Sequence, residues 1–234
     1  MEKVVQDYFG INFKDKLIME LNSKYKATKW ETKTKIENKT FKAFDFSDTN
    51  FNCPIFKNIQ FEDCVFNKSN MQDARIYGCS FISCHFVKID FRTITIGAHK
   101  GLYKDCHFDS CDFRNAPFYE PEFNNCIFNK CKLSKIDFKA SSFDSCKFIG
   151  KMSDVTFRGN DKHDLYPNPK ANSMYNIDFG ETIFGEYVGF DDCDLSTCIP
   201  PKGTTFEELL INSEYYPKRL TTGANNAEKT NKKG

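Results

Sequence analysis

An all-β solenoid is the fold this sequence predicts, and three observations predict it. From Phe41 to Ile96 every fifth residue is large and apolar: Phe41, Phe46, Phe51, Phe56, Phe61, Phe66, Met71, Ile76, Phe81, Phe86, Phe91 and Ile96. Two positions before these stands a second class, mostly smaller, including Thr49, Pro54, Ile59, Cys64, Ser69, Ala74, Cys79 and Cys84. Phenylalanine is the compositional outlier, at 25 of 234 residues against one Trp, so one side-chain type fills one repeated slot. A period of five matches neither the 3.6 of a helix nor the 2 of a long flat strand, so the chain turns a corner at each interval. Units of this kind bury their apolar face only against their neighbours, and the array offers surfaces for binding more than pockets for chemistry.

The first forty residues read as a cap over the open end of the array, whose bare strand edge needs cover. Within it, Asp15 to Tyr25 reads as a short amphipathic helix with Leu17, Leu21 and Tyr25 on one face, and Trp30, Thr32, Thr34 and Ile36 alternate like a strand. The repeats occupy 41–200. A two-residue slip falls at 97–101, after which the period resumes at Tyr103, Phe108, Phe113, Phe118, Phe123, Phe128, Leu133, Phe138, Phe143 and Phe148. Residues 158–174 break the period again and are expected to loop out. Repeats return at Phe179, Phe184, Phe190 and Leu195 before Pro200 and Pro201 stop the coil. A C-terminal cap is expected over 201–220, with an N-capped helix from Thr205 to Ile211 that carries acids in its first turn and sets Phe206, Leu209 and Leu210 against the last coil. The polar residues 221–234 are expected to be disordered.

Net charge is +1, but its distribution is uneven. Residues 1–40 carry nine Lys against six acids, residues 41–157 balance at fifteen basic and fourteen acidic, and residues 161–214 carry eleven acids against three Lys. The far end of the array is therefore acidic. No basic stripe with interleaved exposed aromatics appears, so direct nucleic-acid binding is not expected. With no N-terminal apolar h-region and no run of about 18 apolar residues, no membrane association is expected and a cytoplasmic location is. Signatures of catalysis are missing too: there is no phosphate-binding glycine loop, no GxSxG, no HExxH and no CxxC. The four histidines, at 85, 99, 107 and 163, do not pair at ligand spacing, so neither metal nor cofactor is expected.

Stretches such as Phe61-Glu62-Asp63-Cys64-Val65-Phe66 and Phe123-Asn124-Asn125-Cys126-Ile127-Phe128 resemble the pentapeptide-repeat family, whose motif is a central Leu or Phe with a small residue two places earlier. The resemblance covers about Phe41 to Leu195. It implies a right-handed quadrilateral parallel β-helix, four pentapeptides to a coil, here about seven coils and roughly 33 Å long at the strand spacing. Residues twenty apart then stack. Cys64, Cys84, Cys106, Cys126 and Cys146 form one internal ladder once the slip is counted, Cys111 and Cys131 stack on the next face, and Cys79 lies on the one before. Buried thiols of this kind pack the interior in the reduced state. Cys53 falls outside both inward classes, while His85 and His107 face outward, stacked on the cysteine face.

The leading functional expectation is a non-catalytic scaffold that engages a partner protein. Its candidate contacts are Asp161, His163, Asp164 and Tyr166 in the loop, and Asp178, Glu181, Glu186, Asp191, Asp192 and Asp194 on the last coils. The alternative, implied by the gyrase-protecting branch of the family, is a mimic of duplex DNA that binds a type II topoisomerase; in that branch a C-terminal helix also serves homodimerisation. The balanced charge of 41–157 departs from that branch, because a mimic presents phosphate-like charge along most of its length.

Overall fold

A computed structural model describes residues 21–160 and 171–211. The chain winds into a four-sided parallel β-solenoid of about six turns. Three sides are ladders of short strands. The first contains β1 (Lys35–Glu37), β3 (Ile55–Lys57) and β6 (Arg75–Tyr77). The second contains β2 (Thr40–Lys42), β4 (Gln60–Glu62), β7 (Ser80–Ile82), β9 (Leu102–Lys104), β11 (Glu122–Asn124) and β14 (Ser142–Asp144). The third carries β5 (Val65–Asn67), β8 (His85–Val87), β10 (His107–Asp109), β12 (Ile127–Asn129) and the long β15 (Lys147–Arg158). All of these pairings are parallel, and Phe61 faces Phe81 and Phe108 faces Phe128 as the twenty-residue repeat requires.

The fourth side holds single bridges through Asn50, Asn70, Asp90, Asp112 and Lys132, and becomes a ladder only where β13 (Leu133–Phe138) pairs with β15. Asn and Asp stand there for a reason. The side-chain oxygens of Asn50, Asn70, Asp90 and Asp112 accept from the backbone N–H of Asn52, Gln72, Arg92 and Arg114, and this local turn takes the place of a longer ladder. The side then closes in tight turns, as where the Ala74 N–H donates to Met71 and the Ile94 N–H to Phe91.

Inside, flat rings stack along the rod. Successive centroids of Phe46, Phe66, Phe86, Phe108, Phe128, Phe148 and Phe179 lie 5.1, 5.0, 4.9, 4.8, 4.8 and 5.3 Å apart. That is the strand spacing, so ladder and ring column share one repeat. The corners are made by backbone in the left-handed region: Asp63, Lys68, Ser83, Lys88, Asp105, Asn125 and Lys130, among others, have φ between 50° and 56°. Each such non-glycine residue costs about 1 kcal/mol, which ring burial offsets.

Three boundaries differ from those expected. The coil begins before Phe41, since the N–H of Asn22, Ala27, Trp30 and Lys33 donate to Ala43, Ser47, Asn50 and Asn52 one coil ahead. Residues 30–36 therefore do not form an alternating strand; only β1 is strand, and a 3₁₀ turn spans Ser23–Tyr25. Tyr25, Trp30 and Ile36 fill the inward slots instead, with Tyr25 stacked on Phe46 at 5.7 Å and Trp30 edge-on to Phe51 at 4.7 Å. One extra residue between Trp30 and Ile36, absorbed by a turn in which the Thr34 N–H donates to Glu31, hides the period. Leu17 lies outside the described residues.

The second difference is the loop, which is shorter than 158–174. Arg158 still pairs with Asp191, the Gly159 N–H donates to Asp191, and the Asn172 N–H closes back on Gly159. Met174 is fully buried. Arg158, Gly159, Asn172 and Met174 thus belong to the coil, and Asp161, His163, Asp164 and Tyr166 lie outside the described residues. Thirdly, Met152 takes an inward slot four residues after Phe148, so β15 runs unbroken through a corner that Gly150 makes possible at φ 109°. The slip at 97–101 is absorbed by Gly97, at φ 78°, where a Cβ would stand 2.4 Å from the Pro121 nitrogen.

After the loop, β16 (Asp178–Phe184) and β17 (Val188–Asp191) pair with β15. The helix α1 (Phe206–Ile211) then crosses the end. Its start is a reciprocal cap, with the Glu208 N–H donating to the Thr205 hydroxyl and the Thr205 N–H to the Glu208 carboxylate. Leu209 is half-buried, and the Leu210 side chain lies outside what is described.

Two substitutions check this account. Lys68→Gly is expected to raise the thermal midpoint by relieving about 1 kcal/mol of corner strain, whereas Ser83→Val, β-branched at the same kind of corner, lowers it. Gly97→Ala is expected to cost about 3 kcal/mol through overlap with Pro121, read in a denaturant titration.

Candidate interaction surfaces

The cysteine column comes from the register alone. Cys64, Cys84, Cys106, Cys126 and Cys146 are buried to within 1 % exposure. Each lies two residues before a stacked ring, and its thiol donates to a backbone carbonyl one coil back: Cys84 to Phe61, Cys106 to Phe81, Cys126 to Tyr103. All eleven cysteines are free thiols. Burial pushes the Cys84 and Cys126 thiols well above their ordinary value and Cys79 up to about 11, so these groups are poor nucleophiles. Cys111 and Cys131 are buried on the next side. Cys53 is half-buried at a corner with φ 60°. It borders a shallow groove of about 540 Å³ shared with Lys33, Ile55, Asp73, Arg75, Thr93 and Thr95.

On the outside of the cysteine face, the His85 and His107 rings stack in parallel at 5.1 Å. Among the described residues no group of three or more His, Cys, Asp or Glu is placed to hold a metal ion. No helix there is long and apolar enough to cross a membrane.

The acidic residues of the last coil divide into two sets. Asp178 and Glu181 flank the nearly buried Lys147 ammonium at 3.2 and 2.7 Å. Against the cost of burial, these two carboxylates hold the Lys147 pKa above its ordinary value. Asp191 shares Arg158 with Asp137, at 2.9 and 2.8 Å. These three acids are partly neutralised and tie the last coil to the one before. Glu186 and Asp192 are exposed and form no ion pair among the described residues. Asp194 is exposed and accepts from the Ser196 N–H, which holds its carboxyl below the usual range. On other sides of the same coil Ile183 and Ile199 are exposed by 67 % and 55 %. Phe206 meets Phe179 and Phe190 edge-on at 6.1 and 5.8 Å, the position of a cap.

Sequence reading missed the fourth-side ion pairs. Arg92 grips Asp90, and Arg114 grips Asp112, each with two nitrogens. The signal was available in the Asp-x-Arg spacing, which joins the residues flanking an inward ring. The guanidinium of Arg114 beside Asp112, and that of Arg92 beside Asp90, hold both carboxyls below their ordinary value.

Residues 45–81 match the family model for pentapeptide repeats, eight copies. The same register is wound on four sides beyond that stretch, so the fold is that of a pentapeptide-repeat β-helix. Among solved structures it is similar to QnrB1, a plasmid-mediated fluoroquinolone resistance protein, in a trypsin-treated form, at 16 % identity over 71 % of this chain and 88 % of that one, with a TM-score of 0.40. It is also similar to HetL, a pentapeptide-repeat protein involved in heterocyst differentiation regulation from the cyanobacterium Nostoc sp. strain PCC 7120. There the identity is 10 %, the coverage 74 % and 90 %, and the TM-score 0.37. Superpositions this loose carry nothing about partners. No curated protein matches the sequence significantly.

Burial sets an order of thiol labelling. In the native protein a disulfide reagent is expected to modify Cys53 first and Cys198 slowly, because burial pushes the Cys198 thiol up to about 11. The nine buried thiols are expected to react only in denaturant, as mass spectrometry of the labelled chain would show. The Asp90 and Asp112 pairs predict acid lability. A carboxyl depressed on folding stabilises above its unfolded value, and that contribution is lost as pH falls through the folded one. The thermal midpoint is therefore expected to fall below about pH 4, and less steeply in Asp112→Asn.

Proposed function

We propose that this chain is a non-catalytic scaffold that binds a partner protein through the outer surface of its last coil. The observation that carries this reading is that Glu186, Asp192 and Asp194 and the exposed Ile183 and Ile199 all lie on the outer surface of the last coil of a rigid ladder. Apolar anchors with a charged rim give contact energy and steering together. The partner surface that fits is basic with an apolar centre. Free thiols throughout suit a reducing, cytoplasmic setting. Asp161, His163, Asp164 and Tyr166, in the stretch of sequence between Gly159 and Asn172 on this coil, are included in the proposed contact.

A type II topoisomerase is a second reading, favoured by the same acids as a short run of phosphate-like charge. Because residues 41–157 are balanced in charge, contact of this kind would be confined to the end of the rod.

Capture from host lysate with the wild type and with Glu186→Ala/Asp192→Ala/Asp194→Ala is expected to return a basic partner that the triple variant loses by tenfold or more, about 1.4 kcal/mol. An unchanged set of captured proteins would refute the reading. The topoisomerase reading is checked by gyrase supercoiling with and without a fluoroquinolone; an unchanged rate at micromolar protein rejects it.

A further inference from the structure

The two ends of the rod carry opposite charge. Residues 21–40, the first described coil, hold six lysines against Glu31 and Glu37. Residues 171–211, the last described, hold eight acids against Lys202, and 171–234 as a whole hold ten acids against six basic residues. Between them the charge is balanced, so the rod is an electric dipole along its own axis.

Among the described residues the apolar side chains at both ends are only partly buried. Tyr25, Trp30 and Ile36 at one end, and Phe184, Val188 and Phe190 at the other, are only partly buried, whereas Phe66 and Phe128 inside the rod are exposed by 0 and 1 %. The large apolar side chains that are exposed, Tyr175, Ile183 and Ile199 among them, all belong to the last coil. Among the described residues β1 pairs with β3 alone and β17 with β15 alone. A parallel ladder has the same direction at both edges, so the edge of one copy at β17 matches that of another at β1.

We propose that a second copy of this chain docks head to tail, its lysine-rich first coil against the acidic last coil. Lys24, Lys29 and Lys33 then face Glu186, Asp192 and Glu207, and Tyr25 and Trp30 meet the partly buried Phe184 and Val188 beside the Phe206 cap. A two-fold pairing of last coils would set Glu186, Asp192 and Asp194 against their own copies, and like charges in apposition are strongly disfavoured. The head-to-tail contact is heterologous and does not close on itself, so assembly grows with concentration. It is independent of the partner reading, since it is measured on the purified chain alone.

Sedimentation velocity on the full chain tests it, at about 0.01 M salt, where charges act over about 30 Å, and at about 1 M, where they act over about 3 Å. At low salt the mean mass is expected to exceed that of one chain and to rise with protein concentration; at high salt it falls toward one chain. Lys24→Glu/Lys29→Glu/Lys33→Glu abolishes association, as does Glu186→Lys/Asp192→Lys/Glu207→Lys. An equimolar mixture of the two variants restores it, because each supplies the sign the other has lost. Circular dichroism and melting verify that both variants fold. Lys24→Gln/Lys29→Gln/Lys33→Gln, which removes charge without reversing it, serves if the glutamate variant does not. A chain that sediments as a monomer at every concentration in low salt overturns the proposal. So does association that survives the first-coil variants, which would indicate contact between last coils, and so does a mixture that fails to associate.

Discussion

Every inward side chain in this protein must sit on its counterpart one coil away, and the rest of the structure depends on that constraint. The strand ladder repeats at the spacing of backbone hydrogen bonds, and a column of flat rings repeats at nearly the same distance, 4.8 to 5.3 Å from Phe46 to Phe179. Ladder and core are therefore satisfied together only when equivalent positions stay in register. Phenylalanine fits because it is flat, wide enough to reach across the interior, and self-complementary when stacked. Neighbouring sides meet edge to face, as Phe61 and Phe66 do at 75°, so one ring type fills the core from four directions.

The constraint exacts a cost at the corners. Four sides in twenty residues need a sharp turn at each fifth position, and the chain makes it with left-handed backbone at residues as unlike as Asp63, Lys68 and Ser83. These outlying conformations persist because the ladders on both sides determine them. Where the count changes, glycine takes the strain: Gly97 lets two extra residues pass close to Pro121, and Gly150 lets β15 round a corner with one residue fewer. On either side of residues 161–170, Gly159 and Asn172 are tied by a backbone hydrogen bond, so the coils before and after stay stacked.

Surface chemistry is freer than core chemistry, and the charge differences lie along the axis. Within the rod, outward acids and bases largely satisfy one another locally, as in the Asp90–Arg92 and Asp112–Arg114 pairs. On the last coil part of the acidic set finds partners, through Lys147 and Arg158, and the same coil carries the exposed Ile183 and Ile199. A stiff rod with distinct ends and plain sides is well suited to contacts made at its ends.

Much of this was legible in sequence. The five-residue period determined the solenoid, the inward identity of nearly every Phe, and the burial of the cysteine ladder, because a regular register leaves each position one environment. Departures from the period were readable as interruptions but not in extent. Tyr25, Trp30 and Ile36 already form a coil although one extra residue conceals it, Met152 is inward although it comes one residue early, and Arg158 and Met174 belong to the coil and not to the loop. In each case hydrogen bonds between distant segments decide where an irregular residue belongs, and local spacing does not carry that information. The same holds for charge: composition placed the acids at one end, but only the fold brought Lys147 between Asp178 and Glu181, and Arg158 between Asp137 and Asp191. Those partners are separated by 21 to 34 residues in sequence and become neighbours because the coils stack.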